Sequence, residues 1–185
     1  FGEYGQGILN PQVFKVRLNP EMDFRLELDV FQKVVQRGDL IFIGNPNNPT
    51  GVVTQRHTIL QLAALAAERG AVLVIDEAFM DFVQDSQSVV KDIVNYRELI
   101  VVGSLTKIFA LPGLRLGYLV AQEDLVGELE QVLPPWRVNS LAQAAGTAAL
   151  ADKNHLTASK RVIAEERKFL ADSLQNLGFK VFPGK

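Results

Sequence analysis

Lys107 stands in Ser104-Leu105-Thr106-Lys107, directly after the apolar run Leu99-Ile100-Val101-Val102-Gly103. A lysine just past a buried strand and beside two hydroxyls is a candidate for Schiff-base chemistry. Burial lowers its pKa and frees its amine to attack an aldehyde. The plain alternative is a surface lysine whose stem lies along apolar neighbours. Ser-x-x-Lys is also the nucleophile wording of penicillin-binding enzymes, but the chain has neither the Ser-Asp-Asn nor the Lys-Thr-Gly element they need. Asp76 closes a second apolar run, Ala71-Val72-Leu73-Val74-Ile75. An acid at a buried strand end is costly unless it meets a cation, so Asp76 predicts a cationic partner. Asp76-Glu77 also matches the metal-holding strand end of ATP-hydrolysing proteins, but no Gly-rich phosphate loop accompanies it. Asp is equally suited to cap a helix. Arg115 lies eight residues after Lys107, in Leu111-Pro112-Gly113-Leu114-Arg115-Leu116-Gly117. A cation among apolar residues and glycines is poorly explained as a solvated charge. Its fork suits a phosphate, and Ser104 and Thr106 add hydroxyl donors. Finally, Asn45-Pro46-Asn47-Asn48-Pro49-Thr50-Gly51 follows the run Leu40-Ile41-Phe42-Ile43-Gly44. Asn, Pro and Gly dominate ordinary turns. Two prolines and three asparagines in seven residues nevertheless make a rigid loop that presents side-chain amides at a strand end.

The elements that position these residues are short apolar runs alternating with helical patterns. Strands are predicted at 40–44, 71–75, 99–103 and 117–121. Their continuous apolar wording is typical of a sheet covered on both faces. A helix is predicted over 54–69, with Leu60, Ala63, Ala64 and Ala67 as its inner stripe, Thr54 as N-cap and Gly70 as stop. Strand, helix and strand within so few residues form a βαβ unit, and the fold class is α/β, a mostly parallel sheet with helices on both faces. Helices are further predicted at 123–133, 140–150 and 157–177. The last carries Val162, Ile163, Phe169, Leu170 and Leu174 on one stripe and leads to a strand beginning at 179–182. This divides the chain into a large domain, 1–150, and a linking helix with the start of a smaller C-terminal α/β domain, 151–185. Ligands in such sheets sit beyond the carboxyl ends of the strands, where the residues above fall.

Composition removes several function classes. The chain has 185 residues, a net charge of −2 and no cysteine. Near-neutral charge argues against binding nucleic acid by phosphate neutralisation. Without cysteine there is no disulfide framework and no thiolate ligand or nucleophile. His57 and His155 are far apart, so no His-rich metal cluster is expected. No apolar run approaches the ~20 residues of a membrane-spanning helix, no signal peptide is visible, and a cytoplasmic location is expected. What remains is one composite site: a lysine for an aldehyde, an acid for a pyridine nitrogen, an amide for a ring hydroxyl, and Ser, Thr and Arg for a phosphate. That set matches pyridoxal 5′-phosphate.

With those motifs in hand, the sequence resembles the class I/II aminotransferase family of fold-type I pyridoxal-phosphate enzymes. The carriers are Asn-Pro-Asn-Asn-Pro-Thr-Gly, Asp-Glu-Ala-Phe, and Ser-x-x-Lys with arginine eight residues on. Within the family it is similar to the branch that decarboxylates threonine phosphate in cobalamin biosynthesis, with the histidinol-phosphate aminotransferases next. Phe79 stands where the aminotransferases usually carry a tyrosine that bonds the cofactor's ring oxygen. The wording of residues 104–118 and of Pro135-Trp136-Arg137-Val138-Asn139 points the same way. The resemblance implies that Lys107 forms the Schiff base, Asp76 pairs with the ring nitrogen, and Asn48 bonds the ring oxygen. It also implies that Ser104, Thr106 and Arg115 hold the phosphate and that Phe1 stacks on the ring with Tyr4 close by. The implied reaction is decarboxylation of L-threonine O-3-phosphate to 1-amino-2-propanol O-2-phosphate. Histidinol-phosphate transamination is the alternative, and a non-catalytic pyridoxal-phosphate sensor domain a third reading. The implied partners are a phosphorylated amino-acid substrate and a second copy in a homodimer, with no nucleic acid or membrane. The motif order predicts the middle of a longer chain, inactive alone because the residues gripping the substrate carboxylate and phosphate lie elsewhere.

Overall fold

The computed structural model describes residues 4–5, 12–182 and 184. A short helix α1 (Leu28–Val34) precedes strand β1 (Leu40–Gly44). Helix α2 (Arg56–Arg69) then leads to β2 (Val72–Asp76), and β3 (Leu99–Ser104) runs into the single turn α3 (Leu105–Ile108). Strand β4 (Gly117–Val120) is followed by α4 (Glu123–Val132), α5 (Ser140–Ala151) and α6 (Lys153–Asn176). The sheet order is β1-β2-β3-β4, with β1, β2 and β3 parallel and β4 antiparallel to β3. The mostly parallel α/β architecture expected from the apolar runs is present. Among the described residues no helix is long and apolar enough to cross a membrane.

The register decides which side chains face the core. Ile41, Leu73 and Leu99 are aligned, and one pleat further on so are Ile43, Ile75 and Val101. Side chains alternate along a strand, so these six share a face. They pack with Ile59, Leu62, Ala63 and Ala66 of α2, and with Phe31, Val89 and Ile93. Leu62, Leu73, Ile75 and Leu99 are fully buried. The opposite parity puts Asp76 on the same face as Phe42 and Val74, away from α2.

Several sequence expectations shift. The inner face of α2 is Ile59, Leu62, Ala63 and Ala66, so Ala64 and Ala67 turn to solvent. A run rich in alanine marks a helix but not its face, and the bulkier Ile59 and Leu62 decide it. Gly70 ends α2 in the left-handed conformation, as expected. Thr54 does not cap the helix; Gln55 takes that position, because both backbone groups of Thr54 bond the side chain of Asn45. Helix α6 starts four residues earlier than expected, with Asp152 Oδ1 accepting from the His155 N–H. No residue of α6 is buried, and Val162, Phe169 and Leu170 of its apolar stripe are exposed. Residues 179–182 join no strand ladder among the described residues. An apolar stretch without a partner strand has no ladder bonds to make it a strand.

The return from β3 to β4 passes through the segment that carries Lys107 and Arg115, and glycine permits its closeness. A Cβ on Gly117 would lie 2.7 Å from the backbone oxygen of Gly103. Neither atom can swing aside as a side-chain tip would. Gly117→Ala is therefore expected to force β4 off β3 and lower stability by about 1–3 kcal/mol. A urea titration checks this, and an unchanged midpoint would contradict it.

Candidate active site

The carboxyl ends of β1, β2 and β3 open on one cavity of about 330 Å³, and Asn48, Asp76, Ser104, Thr106, Lys107 and Arg115 all line it. Tyr4 and Phe79 line it too. Six of the seven site residues read from the sequence are thus brought together. The seventh, Phe1, lies outside the described residues.

The three asparagines of the β1 loop divide their work. Asn45 is fully buried. Its Oδ1 accepts from the Thr54 N–H at 2.9 Å and its Nδ2 donates to the Thr54 carbonyl at 3.1 Å, which closes the loop. Asn47 Nδ2 donates to Thr50 Oγ1 at 2.7 Å. These two satisfy the turn reading of the motif. Asn48 is exposed on the cavity wall, and its amide has no partner among the described residues. Two amides therefore build the loop that presents the third.

Asp76 ends β2 half-buried. Its Oδ2 accepts from the Tyr4 hydroxyl at 2.7 Å and its Oδ1 from the Ala78 N–H at 3.0 Å. The cationic partner that its position predicts is not found among the described residues, where no ion pair includes Asp76. Two neutral donors hold the carboxylate, and each oxygen keeps a lone pair for a further donor. Tyr4 supplies one of these donors from the cavity wall. Its ring lies parallel to Phe42, with centroids 4.9 Å apart, and its hydroxyl reaches down to Asp76. Burial, then the bond to Asp76 and its negative charge, push the Tyr4 pKa well above the ordinary phenol value, so Tyr4 stays a proton donor to that carboxylate. Sequence reasoning placed Tyr4 nearby but missed this bond, because nothing local links residue 4 to residue 76.

After β3, Ser104 caps the α3 turn by accepting from the Thr106 N–H, and the two hydroxyls lie 2.7 Å apart. Thr106 is buried. Lys107, one residue on, is exposed rather than buried. The turn points its side chain out over the cavity mouth, with Nζ 5.7 Å from the centre of the Phe79 ring. Arg115 is exposed as well, and its backbone is left-handed at φ 51°. Its Nη1 donates to the Pro112 carbonyl at 3.3 Å, which leaves the remaining guanidinium donors uncommitted among the described residues.

Glu77, beside Asp76, does not line the cavity. It is buried, with Oε2 accepting from the Ser88 hydroxyl at 2.6 Å and Oε1 from the Val89 N–H at 2.9 Å. Burial raises its pKa, the Ser88 and Val89 bonds offset part of that rise, and the charges of Asp81 and Asp92 add to it. The folded state then binds the Glu77 proton more tightly than the unfolded chain does. Its contribution to stability is complete below the ordinary carboxylate value of 4.5 and is lost as pH climbs past the raised value. Glu77→Gln cannot ionise, so its stability relative to the parent is expected to rise between pH 4.5 and 7. Paired denaturant titrations across that range check it; a difference that stays flat would contradict it. Among the described residues no cluster of acids and histidines could hold a metal.

The family model for aminotransferase class I and II matches residues 9–185. The histidinol-phosphate aminotransferase of Anaeromyxobacter sp. (strain Fw109-5) is 35% identical over 168 residues, which cover 88% of this chain and 45% of that protein. The adenosylcobalamin biosynthesis bifunctional protein CobDQ of Leptospira interrogans is 34% identical over 176 residues, 93% of this chain and 20% of that one. The crystal structure of L-threonine-O-3-phosphate decarboxylase from Porphyromonas gingivalis superposes with a TM-score of 0.66 at 29% identity, covering 75% of this chain and 42% of that one. The chain thus spans less than half the length of these relatives. Proteins of the matched family use pyridoxal 5′-phosphate. The cavity suits that group in its donor chemistry. A carboxylate with no cation and an amide with no partner among the described residues come from the β1 and β2 side. Two hydroxyls, an amine and a guanidinium come from the β3 and β4 side.

Proposed function

The chain belongs to the aminotransferase class I and II family, and from that premise we propose that its cavity holds pyridoxal 5′-phosphate on Lys107 and serves the decarboxylation of L-threonine O-3-phosphate. The observation that carries the reading is the convergence of Lys107, Asp76 and Arg115, from separate strand ends, on one cavity. When bound, the cofactor supplies a conjugated ring that takes up the electron pair left at the substrate Cα.

The chain's own residues do the rest. Lys107 Nζ offers the amine for covalent attachment and, once the substrate amine takes that place, carries a proton to or from Cα. Its exposure over the cavity mouth leaves room for that exchange. Asp76, held by Tyr4 and Ala78, accepts from the protonated ring nitrogen. Asn48 donates to the ring oxygen. Ser104, Thr106 and Arg115 take the cofactor phosphate, with the guanidinium supplying charge and the hydroxyls direction.

In the decarboxylation the bond from Cα to the carboxylate breaks, CO2 leaves and Cα takes up a proton. The product is 1-amino-2-propanol O-2-phosphate, and no oxo-acid is consumed. Transamination removes the Cα proton instead and needs an oxo-acid acceptor. Phe79 supports the first. It stands three residues after Asp76, below Lys107, and brings no hydroxyl to the cavity, where the aminotransferases of this resemblance usually have tyrosine. The likeness to the Leptospira and Porphyromonas proteins supports it too. The likeness to the Anaeromyxobacter enzyme supports histidinol-phosphate transamination as the second reading. The proposal extends to a large domain over 1–150 and a linking helix with the start of a small domain over 151–185, in a cytoplasmic homodimer. The complete protein, loaded with cofactor and given threonine phosphate without an oxo-acid, is expected to release CO2. Turnover only with histidinol phosphate and 2-oxoglutarate would replace this reading with the second.

A further inference from the structure

Helix α6 reaches the lysine turn through one side chain. His155 Nε2 lies 2.9 Å from the carbonyl oxygen of Ile108, the residue after Lys107. A carbonyl only accepts, so Nε2 carries the proton and donates it. Ser159, one turn along α6, places its Oγ 3.2 Å from the same nitrogen, and the imidazole stacks on Phe109 with centroids 5.8 Å apart.

The α3 turn depends on such outside partners. It has four residues, too few to satisfy its own carbonyls. The Thr106 carbonyl accepts from the Leu111 N–H and the Lys107 carbonyl from the Ala110 N–H. Ile108, whose side chain is buried, has its carbonyl met by His155 across 47 residues of sequence. Elsewhere none of the residues of α6 is buried; the helix also packs on the 3-10 turn Met80–Phe82, and Arg167 donates to the Gly184 carbonyl.

We propose that His155 is a positioning residue, which donates to the Ile108 carbonyl and so fixes the direction in which the α3 turn presents Lys107 over the cavity. The position of α6 is thereby felt at the reacting amine through a hydrogen bond that needs only a neutral donor. This rests on the assignment of Lys107 as the covalent attachment point.

The test is capture of pyridoxal phosphate at limiting concentration, trapped with borohydride and mapped by peptide mass. Amide hydrogen exchange over 105–111 is followed in parallel without cofactor. His155→Leu removes the donor and keeps bulk against Phe109. It is expected to lower trapping on Lys107 about fivefold, the scale of one hydrogen bond's net contribution, and to speed exchange over 105–111. His155→Gln returns a donor at the Nε2 position and is expected to stay within about twofold of the parent on the same scale. Parent-like trapping and exchange in His155→Leu would overturn the proposal. So would equal losses in both variants, since the ring and not the donor would then matter. If His155→Leu fails to fold, the glutamine variant alone decides, by rescuing capture or failing to. A parent protein that traps nothing on Lys107 would overturn the attachment assignment itself, a result distinct from failure of His155 alone.

Discussion

Lys107→Ala is expected to abolish covalent capture of pyridoxal phosphate and to reduce turnover of the complete protein on the order of 10⁴-fold, the scale of a lost acid–base group. The side chain is exposed and stands over the cavity rather than in the core, so its truncation leaves no void and no unpaired buried group. Stability is expected to stay within about 0.5 kcal/mol of the parent. Ser104, Thr106 and Arg115 remain in the variant, so cofactor is still expected to bind without the covalent bond. Small primary amines are expected to restore part of the activity, because they supply the missing proton carrier. Absorbance titration, denaturant melts and amine-rescue kinetics check these outcomes together. Full activity in the variant would remove Lys107 from the reaction.

Asp76→Asn should give the second-largest loss, on the order of 10³-fold in turnover, the upper scale for one preorganised electrostatic group. The two side chains have the same shape, and Oδ1 can keep its bond from the Ala78 N–H. What disappears is the negative charge that, in the proposed assignment, would face the ring nitrogen and hold a proton there. The Tyr4 hydroxyl, now facing an amide, is expected to turn and accept instead of donate. Because the charge acts on electron uptake more than on binding, kcat is expected to fall far more than cofactor affinity. Equal losses in both would make Asp76 a binding group only.

The sheet and the site were legible in the sequence for a common reason. Val- and Ile-rich runs mark buried parallel strands, and in such a sheet the chemistry gathers at their carboxyl ends. Asp76 follows such a run directly, and Asn48 and Lys107 each come four residues after the end of one. Position along the chain therefore translated into position around the cavity. What was missed is what depends on distant partners. The bond from Tyr4 to Asp76 and that from His155 to Ile108 join residues 72 and 47 apart, and no local pattern encodes either. The inner face of α2 was misread because alanines fit either side of a helix. The stripe on α6 reads as a core face, yet its largest members are exposed among the described residues. Burial of Lys107 was inferred from the strand before it, but a single turn of helix is enough to carry a side chain from the sheet end out over the cavity.

The most direct test of the account is the location of the bound cofactor. The purified protein is mixed with pyridoxal phosphate, reduced with borohydride, digested and sequenced by mass spectrometry. The account predicts one dominant reduced adduct, on the peptide carrying Lys107, suppressed by prior addition of inorganic phosphate that competes for Ser104, Thr106 and Arg115. A dominant adduct on another lysine, or equal labelling of many lysines, would contradict it.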